Sequence, residues 1–374
     1  MTAAYDFDRV HWNLFTGRAA PPFDAGAVRT RVEGKRILVT GAGGFIGSAL
    51  AKALAQFGPD ELILLDLAEA GLYQLGRDLA DATAGPKIRL VVGSICDPPL
   101  IQELFNRHRP DIVFHAAACK HVPLMEANPF TAASTNVLGT QLILEAASRA
   151  SAEQCILLST DKAVDPASIM GATKRVAELI FLAERGYTVA KALRLGNVLG
   201  STGSVAPLFI DQISRGGPVT VAHPEAIRYF LTVDEAVQHL LSALLVEVSS
   251  AILFPEMGEP HRIHDLAHFL VSQQRTRSSD IEIVFTGLRP GDKLAESMTS
   301  KNESLAQAAD GLHVVQPFCP SESELLDNTA EIADAVRRRD LNQLLKAIRT
   351  LVPEYHPSHL LRSAAEVLPG ARWP

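Results

Sequence analysis

RILVTGAGGFIGSALAKAL, residues 36–54, decides the fold. A short apolar run, Arg36 to Thr40, meets a turn with glycines at 41, 43, 44 and 47, and a helical pattern follows. Glycines permit the tight turn and let backbone N–H groups approach a pyrophosphate at a helix N-terminus. A glycine pattern alone is weak, because a plain structural turn carries one too. Here it follows a strand, opens a helix, and is succeeded nineteen residues after Gly47 by Asp66 at the end of the next apolar run. That context is what a dinucleotide fingerprint requires. Gly41, Gly43, Gly44, Phe45, Ile46 and Gly47 are therefore expected to bind a dinucleotide. Asp66 can accept from both ribose hydroxyls and would repel a 2′-phosphate, and no Arg follows in DLAEAG (66–71). NAD is accordingly expected over NADP, with a helix cap as the competing role for Asp66. Ser94 and Ile95 fall where an adenine would rest after the third strand. Ala116 and Ala117, after the fourth, complete the expected cofactor set.

Outward from this turn, short apolar runs alternate with amphipathic ones. RILVT (36–40), ELILLD (61–66), KIRLVVG (87–93), DIVFHAAA (111–118), CILLST (155–160) and VAKALRLGN (189–197) read as buried strands. They are rich in Ile, Leu and Val and apolar throughout rather than alternating. Helical patterns lie between them at 45–57, 69–82, 98–108, 129–150 and 170–185. This βαβ alternation predicts an α/β fold, a Rossmann-type doubly wound parallel sheet covered on both faces. After residue 197 the rhythm breaks, with Gly, Pro and Ser frequent; a helix at 233–247 and a strand at 251–254 return to the first domain. The expected organisation is an N-terminal extension (1–34) and a cofactor domain (35–197 and 229–254). A smaller, discontinuous α/β substrate domain (198–228 and 255–320) and a helical C-terminal extension (321–374) complete it.

Composition narrows the class. The chain has 374 residues, more than one small core needs. Apolar residues at 47% and charged residues at 21% describe an ordinary globular protein. A net charge of −7 argues against an electrostatic nucleic-acid binder, and the densest basic run, VRRRD (336–340), reads as a solvated helix face. Cys96, Cys119, Cys155 and Cys319 form no CxxC pair, so no metal site or disulfide framework is expected, and a cytoplasmic location fits. No apolar run reaches membrane-spanning length, and the start, MTAAYDFDRVHWNLF, lacks the pattern of a secretory signal.

STDKAVDPASIMGATKR (159–175) carries the chemistry, and it contains a departure. Short-chain dehydrogenases/reductases usually place Tyr four residues before the active-site Lys, as acid/base. Here that position is Met170, four before Lys174, and a thioether cannot carry a proton at neutral pH.

The whole chain nevertheless resembles extended short-chain dehydrogenases/reductases, and specifically the bacterial nucleotide-sugar 4,6-dehydratases of capsule and glycan pathways. FHAAACKHVPLMEANP (114–129), TNVLGT (135–140), STDKAVDP (159–166), MGATKR (170–175), RLGNVLGSTGSV (194–205), GGPVTVAHPEAIRYF (216–230), MGEPHRIHDLA (257–267) and FTGLRPGDKLAE (285–296) carry the resemblance. LFTGRAAPPFD (14–24) is similar to the linker before the catalytic domain of membrane-anchored members, so a short form without membrane helices is expected. One branch of the family has Met ahead of GATK, which Met170 matches. Cys119 stands where Tyr is common and Asp292 where Glu is common.

The resemblance implies NAD-dependent dehydration of a UDP-N-acetylhexosamine, usually UDP-N-acetylglucosamine, to a 4-keto-6-deoxy sugar. In such a reaction a hydride leaves C4, water is eliminated across C5 and C6, and the hydride returns to C6. Asp161, protonated, would deliver the proton to the C6 hydroxyl, and Lys162, neutral, would take the C5 proton. Both follow a strand end, where ligands of open α/β sheets sit. Lys174 would hold the nicotinamide ribose, Thr160 would relay the C4 hydroxyl proton to it, and Met170 would face the same cleft, with plain core packing as the competing role. Arg228 and Arg289 are expected at the diphosphate, for which planar guanidinium suits, and Asn197 at a nucleotide contact. Lys120, His121 and Asn136 are expected at the substrate, a structural role being the alternative for Asn136. His115 reads as a buried residue serving internal polar groups. A 4-epimerase on the same scaffold would have no need of an elimination pair, and a silent NAD-binding regulator no need of Asp161, Lys162 and Lys174 together. A homo-oligomer is expected, as is common in the superfamily.

Overall fold

A computed structural model describes residues 10–80, 85–184, 186–248, 250–273, 281–301, 303–307, 311–316 and 319–367. Parts of the expected extensions at 1–34 and 321–374, of the 256–320 region and of the helix ends at 81–82 and 185 lie outside the described residues.

All six expected strands form, at Arg36–Thr40, Glu61–Asp66, Lys87–Val92, Ile112–His115, Gln154–Thr160 and Val189–Leu195. They pair in parallel in the order third, second, first, fourth, fifth, sixth, and Ala251–Pro255 adds a parallel seventh. Helices on both faces exclude water, so the central residues Ile37 to Val39, Leu62 to Leu65 and Ile112 to Phe114 are almost wholly buried. Each such side chain contributes roughly 1.5–3 kcal/mol. The helix Phe45–Ala55 buries Gly47, Leu50, Ala51 and Leu54, one apolar stripe at helical spacing. The strand order reverses beside Arg36–Thr40, and at such a switch point the loops beyond the strand ends leave a crevice.

One expectation is corrected. Leu312–Gln316 and Ser304–Gln307, placed by sequence in the substrate domain, are antiparallel strands that extend the large sheet from Ala251–Pro255. The helical pattern expected at 129–150 forms, as a continuous run with a π-helical turn, Ser134–Gly139, set between Pro129–Ala133 and Thr140–Arg149. A second apolar cluster gathers Leu199, Phe209, Ile210, Val219, Phe230, Leu266 and Leu270, with Trp12 and Phe15 of the N-terminal segment packed on it. The helices Glu322–Arg338 and Leu341–Leu351 join the main core through Ile332, Leu344 and Ile348.

A buried ion network ties these parts together. Glu178, on the helix Ile169–Ala183, accepts from Arg194 at 2.8 Å twice, from Arg175 at 2.9 Å and from Ser159 Oγ at 2.7 Å. Arg194 also donates to both Glu303 carboxylate oxygens and to the Met298 carbonyl. Burial alone would raise the Glu178 pKa, but Arg194, Arg175 and Ser159 hold it down to about 2. Replacing Glu178 with Ala leaves Arg194 buried and half-paired, and should cost about 3–5 kcal/mol in chemical denaturation. In the unsubstituted protein the carboxylate's contribution is present above its unfolded pKa of roughly 4.3. It is lost as pH falls through about 2.

Candidate active site

The glycine turn is forced by packing. Gly41 has φ +68°, and a Cβ there would lie 2.6 Å from Ala117 N. A Cβ on Gly47 would overlap the Gly41 carbonyl oxygen. The helix that begins at Phe45 has no side-chain cap, so its first N–H groups and the positive end of its dipole are left for a ligand. Phe45 and Ile46 are half-buried against the core. Asp66 accepts from Gly43 N (2.9 Å) and Ala68 N (2.8 Å), so it braces the turn and its own loop. Each of its oxygens keeps a further lone pair for a hydroxyl donor. Ala116 and Ala117 border Gly41, and their N–H groups donate to Thr40. Ser94 accepts from Cys96 N, and Ile95 is buried with its side chain toward Gly139.

The second centre is built where the strand Gln154–Thr160 ends. A 3₁₀ turn, Asp161–Ala163, presents Asp161 and Lys162 directly after it. Lys162 Nζ donates to Asp161 Oδ1 and to Asn197 Oδ1, both at 2.9 Å. Thr160 Oγ1 donates to the same Asp161 oxygen at 2.9 Å. Asp161 Oδ2 is buried and accepts nothing from any described residue. Leaving a polar atom so costs about 1–3 kcal/mol, which an incoming donor would offset.

Several expectations change here. The Asp161 side chain is 0% exposed and that of Lys162 22%, so a ligand meets Lys162 and half-buried Thr160 before the carboxyl. The Thr160 hydroxyl is turned to Asp161 rather than toward Lys174. Burial pulls the Lys162 pKa down, but Asp161 and Glu296 outweigh it and hold the amine above its ordinary value. The resting Lys162 is thus a cation, not the neutral amine expected. Met170 is buried in the main core at 2% exposure, its packing role. Lys174, one turn on, donates to the Leu158 carbonyl at 2.7 Å, and burial lowers its pKa to about 8.

Asn136, expected at the substrate, is an internal tie. It is fully buried, accepts from Cys119 N, and donates to Cys119 O and Thr173 Oγ1. His115 lies between Thr40 and Thr140 hydroxyls at 2.7 and 2.9 Å, and burial with the Lys174 charge lowers its pKa to about 3. Lys120 and His121 are exposed, and the His121 ring packs against Gly203.

The two arginines part company. Arg289 is exposed and pairs with Asp292 at 2.8 Å. Arg228 is 9% exposed and donates to the Ile227, Lys293 and Leu294 carbonyls, so it holds the 293–296 segment more than it reaches outward. That segment brings Glu296 Oε1 within 3.8 Å of Lys162 Nζ and 3.9 Å of Arg228 Nε. Sequence reasoning missed Glu296 although it closes a quoted motif, because nothing in the chain marks which distant acid meets Lys162. No group of three His, Cys, Asp or Glu among the described residues is arranged to hold a metal.

Comparison with known proteins fits this geometry. A family model described as polysaccharide biosynthesis protein matches residues 37–316. The chain is 42% identical over 292 residues to the capsular polysaccharide biosynthesis protein CapD of Staphylococcus aureus, covering 77% of this chain and 49% of that one. It thus spans about half the length of that relative. It is 34% identical to a UDP-glucose 4-epimerase of Rickettsia rickettsii, covering 74% of this chain and 80% of the other. Among solved structures, Pen from Bacillus thuringiensis superposes with TM-score 0.71 at 27% identity, covering 76% of this chain and 89% of that one. DesIV, a dTDP-glucose 4,6-dehydratase from Streptomyces venezuelae solved with NAD and TYD bound, superposes with TM-score 0.61 at 25% identity, covering 81% and 98%. No helix among the described residues is long and apolar enough to cross a membrane.

The glycine packing is testable without a ligand. Gly47→Ala sets a methyl against backbone, which cannot swing aside, and should destabilise by about 3 kcal/mol or more in thermal or chemical unfolding. Gly76→Ala is the control. Its Cβ would meet only the flexible end of the exposed Leu90 side chain, and helix propensity favours Ala by about 1 kcal/mol.

Proposed function

The chain belongs to the polysaccharide biosynthesis family of extended short-chain dehydrogenases/reductases, and from that premise we propose that it is a nucleotide-sugar 4,6-dehydratase. Its substrate is a UDP-N-acetylhexosamine, with UDP-N-acetylglucosamine as first choice, and its product feeds a surface polysaccharide or glycan. The observation that carries this reading is the Asp161–Lys162 pair at the strand end, hydrogen-bonded to Thr160 and Asn197, with a buried carboxyl oxygen still lacking a donor. An elimination needs an acid and a base against one sugar, and two adjacent titratable groups meet that need.

NAD is the proposed cofactor, held by the glycine turn with Asp66 on its ribose. Bound there, it would take a hydride from sugar C4 and give it back at C6. The chain's own residues do the rest. Lys162 first passes its proton to Asp161 Oδ1, 2.9 Å away, and the neutral amine then takes the proton from C5. Asp161 supplies a proton to the departing C6 hydroxyl, and the Thr160 hydroxyl bonded to it is the partly exposed contact between that carboxyl and a ligand. Lys174, its pKa lowered by burial to about 8, would orient the ribose and favour loss of the C4 hydroxyl proton. Arg289, with the two Arg228 N–H groups not used by carbonyls, is assigned to the diphosphate, and Lys120 and His121 to the substrate. Asn197 seats Lys162. The cytoplasm, where UDP-sugars are made, is the proposed compartment.

A second reading has its own support, the 34% identity to a relative named as a UDP-glucose 4-epimerase. An epimerase moves a hydride at C4 but eliminates nothing, so the Asp161–Lys162 pair would be idle in it. Incubation with NAD and UDP-N-acetylglucosamine separates the two. A dehydratase yields a product lighter by one water with a 4-keto chromophore in base, whereas an epimerase yields an isomer of unchanged mass. Asp161→Asn and Lys162→Met should each lower kcat by roughly 10²–10⁴-fold, the usual worth of a general acid or base. Dehydration at the normal rate in both variants would end the assignment. For the cofactor, NAD should raise the melting temperature more than NADP at equal concentration, and Asp66→Asn should narrow the gap.

A further inference from the structure

The segment Arg289 to Glu296 is laced onto the loop that carries Asp161 and Lys162. A Cβ on Gly291 would lie 2.9 Å from Ser168 Cβ, and Lys293 Nζ donates to the Val164 carbonyl at 2.6 Å. Ile227 bridges Ala295, and Arg228 grips the Lys293 and Leu294 carbonyls. So fastened, the segment delivers Glu296 with only 3% of its side chain exposed. Its Oε1 lies 3.8 Å from Lys162 Nζ. Its Oε2 lies 3.4 Å from Lys293 Nζ, yet it is buried without a hydrogen bond from any described residue.

The Lys162 ammonium therefore lies between two carboxylates from distant parts of the chain. Asp161 at 2.9 Å comes from its own turn, and Glu296 at 3.8 Å from the laced segment. Asn197 Oδ1, from the short strand Asn197–Val198, accepts from it as well. The opposing charges are Arg228, 3.9 Å from Glu296, and Lys293 on the far side of Glu296. Resting on the dehydratase reading for its catalytic meaning, we propose that Glu296 is a positioning residue that acts through Lys162. With Asp161 it seats Nζ between two carboxylates and governs when that amine is free to take up a proton.

The sign follows from charge. Two anions favour the protonated amine and Arg228 opposes them, so removing the Glu296 charge lets Lys162 lose its proton at lower pH. If neutral Lys162 is the base, activity rises with pH through its pKa, and the rising limb in Glu296→Gln moves to lower pH. A purely structural glutamate would lower activity without moving that limb.

Lys162 can be read directly, since 22% of its side chain is exposed. The full-length chain is treated with acetic anhydride across a pH series, and acetylation of Lys162 is measured by peptide mass against exposed Lys87. In Glu296→Gln the Lys162 midpoint should fall by about one pH unit, roughly tenfold faster labelling at a fixed pH below it. Glu296→Asp, whose carboxylate is drawn back by one methylene, should shift in the same direction by less, and it serves if the Gln variant does not fold. An unmoved midpoint in the folded variant overturns the proposal. The same preparations are assayed for dehydration. A shifted midpoint with no dehydration by the unsubstituted protein sinks the dehydratase reading and upholds the seat. Dehydration with an unshifted midpoint and pH profile sinks the seat and leaves the dehydratase reading standing.

Discussion

The fully buried pair of Glu178 and Arg194 is the contact on which the rest of the site depends. Four stretches of chain converge on it, and each goes on to deliver a site residue. Ser159, which donates to Glu178, immediately precedes Thr160 and Asp161. Glu178 itself lies one turn beyond Lys174 on the same helix. Arg194 is next to last in the strand Val189–Leu195 that leads into Asn197, and its bonds to Met298 and Glu303 anchor the chain just after Glu296. Buried ion pairs are weak evidence for stability, because desolvation consumes much of the attraction. They are strict about geometry, however, since any slip leaves a charge unpaired. A network of this kind suits a site whose working groups come from distant parts of the chain and must meet within a few ångströms.

Within that frame the chemistry is held in reserve. Asp161 is closed off and Lys162 is a cation between two carboxylates. On the proposed reading, such a site keeps its acid and base neutralised by each other at rest. A ligand bringing hydroxyls can offer the orphan Asp161 oxygen a donor and alter the field around Lys162. Met170 becomes intelligible on the same terms. Its position is buried in the apolar core, where a phenol would need a partner for its hydroxyl and a thioether needs none. On the proposed dehydratase reading, proton transfer falls to the hydroxyl, carboxyl and amine at the strand end.

The parallel sheet was legible in the sequence because its strands are buried on both faces and read as unbroken apolar runs. The glycine turn was legible because backbone contact tolerates no Cβ at Gly41 or Gly47. Asp161, Lys162 and Lys174 could be found because short motifs keep them together. Other residues hid for physical reasons. Asn136 looks polar and available in TNVLGT, but a π-helical turn carries its amide inward to Cys119 and Thr173. Arg228 looks like an anion ligand, yet three carbonyls claim most of its donors. The edge strands near residues 304–316 lack the apolar density of the central ones, so pairing rather than composition reveals them.

By itself the sequence determined the βαβ rhythm, the glycine turn with its acid, and the identity of the groups after the fifth strand. These are local matters, settled by period, by glycine sterics and by residues adjacent in the chain. Only the tertiary structure decided which groups face one another: that Lys162 shares its proton's environment with Glu296, that Asn197 seats it, and that Asp161 stands behind Thr160. The physical reason is that electrostatic partners are chosen by distance in space. The chain reveals that distance only after the 291–296 segment has been laced across the 161–168 loop.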